Sequence, residues 1–322
     1  MNDIILFNVK EHKYISNTTN KRYTSVTQVI EQYKKKIDLK YWAMANAVEK
    51  IFTDRYGYLN WNDLKREHTY KGLVELLIPK ISKKRLKLET QKIKDSWDIG
   101  TKVACDKGNV IHNGLENNFN TALTSSVKET EVHISSQAFT KLRTISDVIA
   151  NPTLGQINLK KLKANLGSEY SKIYNKVKEL VNKGFGVYAE ICVYNTKYMV
   201  SGLIDLLLYS STTGEFYIID WKTNKDNIYF QSGYYRKEQG IKTTNRVLTK
   251  EYLLEPLDNL YDCKGSIYSL QLSQYAYLLE QFGIKCKGLY LYHIRSTINI
   301  LHIEYLKEDI INMLNHFKQI SK

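Results

Sequence analysis

Cysteine and proline are scarce in this chain, and long apolar runs are missing. The four cysteines, Cys105, Cys192, Cys263 and Cys286, never fall in a C-x-x-C pair. That spacing supports neither a structural zinc site nor a closely spaced iron–sulfur motif, so the four read as reduced thiols. The three prolines, Pro79, Pro152 and Pro256, supply no proline-rich linker that would mark a domain boundary. No apolar stretch approaches the ~18 residues of a membrane span, and Met1 to His12 lacks the basic and apolar regions of a signal peptide. A cytoplasmic protein with no membrane partner is the expectation.

The 322 residues are 43% hydrophobic and 25% charged, an ordinary globular composition on a chain long enough to bury a substantial core. Lys and Arg outnumber Asp and Glu by 47 to 33, and the net charge of +14 either favours a polyanionic partner or merely confers solubility. The runs Lys34 to Lys36 and Lys80 to Lys87 are by default solvated faces. The 25 tyrosines tilt the balance towards nucleic acid, because aromatic faces interleaved with cations suit unpaired bases.

The opening segment Ile4 to Tyr23 alternates weakly around Asn17-Thr18-Thr19-Asn20 and reads as a hairpin, leading into a helix that Ser25 and Gln28 cap. Helical and basic patterning continues to about residue 95, with Trp42, Trp61 and Trp97 as packing anchors. Between Ser168 and Lys183, Ile173, Val177, Leu180 and Val181 define one apolar helix face, which Gly184 ends. Three strand-like runs follow, Gly186 to Asn195, Tyr198 to Tyr209 and Glu215 to Trp221, and read as a meander. Ser266 to Phe282 is a helix with Leu270, Ser273, Tyr277 and Leu278 inward, then come strands Gly288 to Ile294 and Ile298 to Tyr305 and a last helix from Lys307. This order predicts an α/β fold: a mixed central sheet flanked by helices, with a helical N-terminal part. A hairpin and basic helical part occupies residues 1–100, and a core occupies 101–322 with an insertion at about 224–266.

Two apolar strands each carry a carboxylate, Ser201-Gly202-Leu203-Ile204-Asp205 and Ile218-Ile219-Asp220-Trp221-Lys222-Thr223. A buried carboxylate without a partner is strongly disfavoured. On adjacent antiparallel strands Asp205 and Asp220 can converge on one hard cation, magnesium or manganese, with Lys222 on the same strand face as Asp220. Phosphodiester hydrolysis needs such a cation, together with a positive group near the nucleophile. The purely structural alternative pairs Asp220 with Lys222 at a sheet edge and leaves Asp205 to cap a turn. Glu190 lies 15 residues before Asp205, as Asp205 lies 15 before Asp220, and is either a third acidic site residue or a salt-bridged sheet residue. His112 and Glu116 share a helix face, as do Gln271 and Tyr275; the latter pair either docks the helix or orients Lys222 or a phosphate.

Taken together, Gly108 to His112, Glu190, Gly202 to Asp205, Asp220 to Lys222 and Gln271 to Tyr275 resemble the RecB-like branch of the PD-(D/E)XK nuclease superfamily. The motifs of that branch are G-x-x-x-H, a strand acid, G-x-[IL]-D, D-x-K and Q-x-x-x-Y, in that order. The resemblance spans roughly residues 108–295 and is nearest to the mitochondrial genome maintenance and phage exonucleases. It implies a restriction-endonuclease-like core and a Mg2+- or Mn2+-dependent DNA exonuclease, acting in replication, recombination or repair. If the chain is phage-encoded, its address is the host cytoplasm. The metal would be held by His112, Asp205, Asp220 and the Trp221 carbonyl, with Lys222 acting on the nucleophilic water, Gln271 and Tyr275 auxiliary and Glu190 a more variable acid. Some relatives hold an iron–sulfur cluster on bracketing cysteines; the spacing here departs from that, so no cluster is expected. A structure-specific or restriction-like endonuclease, or an inactive nucleic-acid-binding protein, are the alternatives.

The segment Asn224 to Ser266 is far longer than the usual ~4–6 residue connection. Its Tyr229, Phe230, Tyr234, Tyr235, Arg236 and Lys237 suit stacked bases and phosphates, or form a tyrosine-rich packing loop. The substrate expected from this mixture is single-stranded DNA or DNA with free ends.

Overall fold

A computed structural model describes residues 5–8, 13–124, 130–134, 137–238 and 241–321, and only the backbone at 130–134, 137–138 and 237–238. The N-terminal part carries β1 Ile5–Asn8, β2 Lys13–Ser16 and β3 Arg22–Ser25, then α1 Val26–Glu31, α2 Leu39–Glu67, α3 Tyr70–Leu77 and α4 Lys83–Ala122. Next come β4 Thr130–Ile134, β5 Gln137–Lys141, α5 Ile145–Ala150, α6 Leu159–Leu166 and α7 Ser171–Asn182. The remainder is β6 Gly186–Asn195, β7 Val200–Ser210, β8 Glu215–Lys222, β9 Gly233–Glu238, β10 Ile241–Leu248, α8 Lys264–Glu280, β11 Lys285–Ile294, β12 Ile298–Ile303 and α9 Lys307–Ile320. This is the α/β architecture expected, with a mixed sheet, flanking helices and a helical N-terminal part. No helix among the described residues is long and apolar enough to cross a membrane. Two compact units share the chain: Met1–Lys34, Gly108–Ser232 and Glu251–Lys322 make the first, Lys35–Lys107 and Gly233–Lys250 the second.

The first unit is a three-layer sandwich. Its sheet runs β12-β11-β8-β7-β3-β2-β1-β5-β4, with β6 on the other edge of β7. The β8/β11 and β3/β7 pairs are parallel and the others antiparallel. One face is covered by α1, α5, α8 and α9 through Val29, Val148, Leu270 and Leu314, and the other by α6, α7 and the end of α4 through Leu162, Val177 and Phe119. In α7 the expected stripe is real: Ile173, Val177 and Leu180 are fully buried, and Gly184 leaves the helix at φ 87°, a left-handed angle that costs glycine little. Val181 is only half-buried. By contrast α8 is buried on nearly every side, so it shows no amphipathic stripe; Tyr277, expected inward, is half-buried against the same core.

Near the start of the chain, the turn from β2 to β3 falls at Asn17 to Asn20, with Asn20 at φ 55°. Ile4, the expected first residue of that hairpin, lies outside the described residues. Ser25 ends β3 and caps α1: Gln28 N donates to Ser25 Oγ at 3.2 Å, and Ser25 N donates to Gln28 Oε1 at 3.2 Å.

Within the second unit, α2 is broken at Gly57, whose φ of 80° and ψ of 162° separate two helical segments. Ala45, Val48, Trp61, Leu73, Val74 and Leu77 form its core. Trp61 is the packing anchor expected, but Trp42 is not: it is 44% exposed and lies stacked on Tyr70. Trp97 is half-buried. The long segment 224–266 is no featureless insertion; its middle is the β9–β10 hairpin of the second unit, and its two ends belong to the first.

Candidate active site

Three carboxylates line up across three neighbouring strands. Ala189 faces Leu206 and Ile191 faces Ile204 across β6 and β7, so the same register sets Glu190 opposite Asp205. Leu206 faces Ile219 across β7 and β8, which sets Asp205 opposite Asp220. Neither pair is itself part of the regular ladder, but the three carboxylates lie close enough that Asp205 and Asp220 raise the Glu190 pKa.

Regular pairing stops at this row. The edge of β7 that faces β8 pairs with it only along Leu206–Ser210, and the far end of the same edge pairs with β3 at Val200 and Ser201. Between them this edge of β7 is unpaired at residues 202–205, and the sheet opens into a notch with Asp205 at its apex. The Trp221 N–H, freed from the ladder, donates instead to Asp205 Oδ2 at 2.7 Å. On β6 the irregularity falls on Glu190, whose φ of 50° is left-handed and uncommon for this residue type. Ala189 and Ile191 consequently contribute to different core layers, as do Leu206 and Ile204, although simple alternation would place each pair on one face.

Two glycines let helices close on the notch. A Cβ on Gly108 of α4 would meet Thr223 Oγ1 at 3.2 Å, and one on Gly202 would lie 2.6 Å from Tyr275 Cε1 and 3.1 Å from Val26 Cγ2. Because Tyr275 is buried and cannot swing away, Gly202→Ala is expected to cost about 1–3 kcal/mol of stability through overpacking. Urea unfolding reads this directly, and an unchanged midpoint would contradict so close an approach.

One turn after Gly108, His112 Nδ1 comes within 3.6 Å of Asp205 Oδ1. Burial alone would lower the imidazole pKa, but Asp205 beside it and Asp220 nearby outweigh that and raise it. Across the notch Lys222 Nζ lies 2.6 Å from Asp220 Oδ2. This ammonium is the charge partner of a fully buried carboxylate. Burial, only partly offset by Lys222, pushes Asp220 up to about 6. Burial also pushes Glu190 up to about 9, helped by the negative charge of Asp205, Glu116 and Asp220. Burial opposes the charged form of Lys222, yet Asp220 and Asp205 more than compensate and hold it as ammonium.

Some of the surroundings carry no recognisable motif. The Tyr268 ring stands 5.0 Å from Lys222 Nζ, and its hydroxyl donates to Asn224 Oδ1 at 2.8 Å. His293 Nε2 donates to the Asn224 carbonyl at 2.8 Å from the adjoining strand β11. Arg143 Nη2 donates to the Ala189 carbonyl at 2.8 Å, beside the left-handed Glu190. Tyr268 is the one that sequence spacing offers, since it stands three and seven residues before Gln271 and Tyr275 on α8. Gln271 Nε2 donates to the Tyr275 hydroxyl at 3.0 Å; both are buried, with Tyr275 beneath Gly202. Trp221 stacks on Phe119 at 6.1 Å between ring centres, which fixes the backbone that carries its carbonyl.

The hairpin residues lie on β9. Tyr234 is 57% exposed, Arg236 is exposed, and Lys242 Nζ stands 4.2 Å above the Tyr235 ring. The side chain of Lys237 lies outside the described residues. Among the described residues, no three His, Cys, Asp or Glu side chains are arranged to hold a metal ion as they stand; the row is neutralised by Lys222 and His112. Comparison of the chain with known protein families and with curated proteins returns no match.

Proposed function

We propose that this chain is a metal-dependent DNA nuclease, an exonuclease of the RecB-like PD-(D/E)XK type on a restriction-endonuclease-like core. The observation that carries the reading is the row Glu190, Asp205 and Asp220 in a sheet notch, flanked by Lys222 and His112. Without a divalent ion the row is offset by Lys222, by His112 and by a proton on Glu190, and such an ion would take over that role. The buried Asp220 carboxylate, the Asp205 carboxylate, the Trp221 carbonyl and the His112 imidazole are a donor set suited to Mg2+ or Mn2+. These four residues would hold the ion once Lys222 turns from Asp220.

When bound, the cation neutralises phosphoryl oxygens and lowers the pKa of a neighbouring water. Lys222, kept charged and held against the Tyr268 face, orients that water and offsets the charge that builds on the phosphate. His112 steadies Asp205 from one side and the Trp221 N–H from the other. The net charge of +14 and the exposed Tyr234 and Arg236 support single-stranded DNA, or DNA ends, as substrate.

The test is a labelled linear oligonucleotide and a circular single strand of the same sequence, each incubated with Mn2+ or with EDTA. Progressive shortening of the linear strand with Mn2+, none with EDTA, and survival of the circle are expected. No Mn2+-dependent product would overturn the nuclease reading. Cutting of the circle would replace the exonuclease with a structure-specific or restriction-like endonuclease.

A further inference from the structure

The second unit holds a cavity of ≈ 420 Å³ that the acidic row does not explain. It opens where Gly57 breaks α2: the helix turns away after Tyr56, and α3 and the start of α4 complete the walls. Ile51, Phe52, Leu64, Leu77 and Ile81 make an apolar floor, while Arg55, Tyr56, Leu76, Lys80 and Arg85 form an exposed rim. No acidic residue lines it. Among the described residues none of the three cations has an ion-pair partner; Arg55 instead lies 5.1 Å from the Tyr56 ring centre. At the same rim Ser82 caps the first turn of α4, accepting from Arg85 N at 3.3 Å, so the positive end of a 40-residue helix adds to the three side chains.

An apolar floor with an aromatic wall asks for a flat, weakly polar body, and the converging positive charge asks for an anion attached to it. Two guanidinium groups beside a helix N-terminus favour phosphate, which accepts bidentate hydrogen bonds. The volume lies at the lower end of the ~300–1,000 Å³ of small-molecule sites. We infer that this cavity binds one nucleoside monophosphate unit, its base against Phe52 and Tyr56 and its phosphate against Arg55, Lys80 and Arg85. The unit is either a free nucleotide or the phosphorylated end of a strand. The inference is independent of bond cleavage.

Calorimetric titration of the full chain in EDTA with thymidine 5′-monophosphate tests it. Saturable binding of one nucleotide per chain is expected, with thymidine and inorganic phosphate each at least about tenfold weaker, since each satisfies only half of the site. The variant Arg55→Gln/Arg85→Gln alters exposed side chains only; it should keep the wild-type melting temperature and lose at least about tenfold in affinity. The double variant Asp220→Asn/Lys222→Met, which leaves no unpaired buried charge, should bind the nucleotide normally. A 5′-phosphorylated oligothymidylate that competes, where its unphosphorylated form does not, identifies a strand end as the source; no competition identifies the free nucleotide. Absence of saturable binding, binding unchanged in Arg55→Gln/Arg85→Gln, or binding lost in Asp220→Asn/Lys222→Met would each overturn the assignment.

Discussion

Lys222→Ala is expected to lower Mn2+-supported DNA cleavage by roughly 10²–10⁴-fold, the usual cost of removing a positioned charge or proton-transfer group from a reaction centre. Stability should fall as well. Lys222 Nζ is the 2.6 Å charge partner of the fully buried Asp220, and stripping one member from a buried pair costs about 3–5 kcal/mol because the other charge is left uncompensated. Inactivity and instability must therefore be separated. The double variant Asp220→Asn/Lys222→Met removes both charges at similar volume, so it should recover most of the lost stability while remaining inactive. Urea unfolding beside a cleavage assay reads the two effects independently. Wild-type turnover in Lys222→Ala would reduce the pair to a structural one and sink the proposed chemistry. Recovery of activity in the stabilised double variant would do the same.

The acidic row was legible in the sequence in an unusually direct way. In an antiparallel meander, residues equally spaced about two successive turns fall at one level, so the 15-residue steps from Glu190 to Asp205 to Asp220 follow the register of the pairs beside them, Ala189 with Leu206 and Leu206 with Ile219. The strand boundaries, the Ser25 capping box and the α7 stripe follow from local patterns, because each depends on residues a few positions apart. What local patterns could not supply is the notch. It exists because β3, some 175 residues earlier by number, takes the far end of the β7 edge at Thr24 and Ser25, and no periodicity reports so distant a pairing. The left-handed Glu190 is equally silent, since nothing about glutamate announces a positive φ. Trp42 differs for another reason: its size suggests an anchor, whereas the fully buried residues around it are Ala43, Ala45 and Ala47 and its own ring stays 44% exposed. The split of the segment 224–266 between two units is likewise a tertiary fact, with the β9–β10 hairpin grouped with helices well over a hundred residues away in sequence.

The metal-free protein should lose stability as pH rises from about 5 to 9, and saturating Mn2+ should flatten that slope. Glu190 titrates near 4.5 in an unfolded chain and at about 9 in the fold, and Asp220 moves from 3.8 to about 6. Over that interval the folded state holds protons that the unfolded state has released. The unfolded state therefore binds fewer protons, and stability must fall with rising pH. His112 acts in the same direction: its pKa is raised by Asp205, so the stability of its charged form is complete below about 6.5 and is lost as the folded imidazole deprotonates. Above pH 6 Asp220 has largely ionised, and Glu190 dominates at up to about 1.4 kcal/mol per pH unit, a ceiling because the carboxylates share their protons. A divalent ion in the notch replaces those protons with fixed positive charge, so the carboxylates stay ionised and the pH dependence shrinks. Glu190→Gln keeps the shape and removes the titration; at pH 8 without metal it should stabilise the protein by about 1–3 kcal/mol and abolish most of the slope. Urea midpoints at pH 6, 7, 8 and 9, in EDTA and in Mn2+, measure all three effects. A flat profile in EDTA would mean that Glu190 is not held protonated beside Asp205, and a slope that Mn2+ leaves untouched would mean that no cation enters the row.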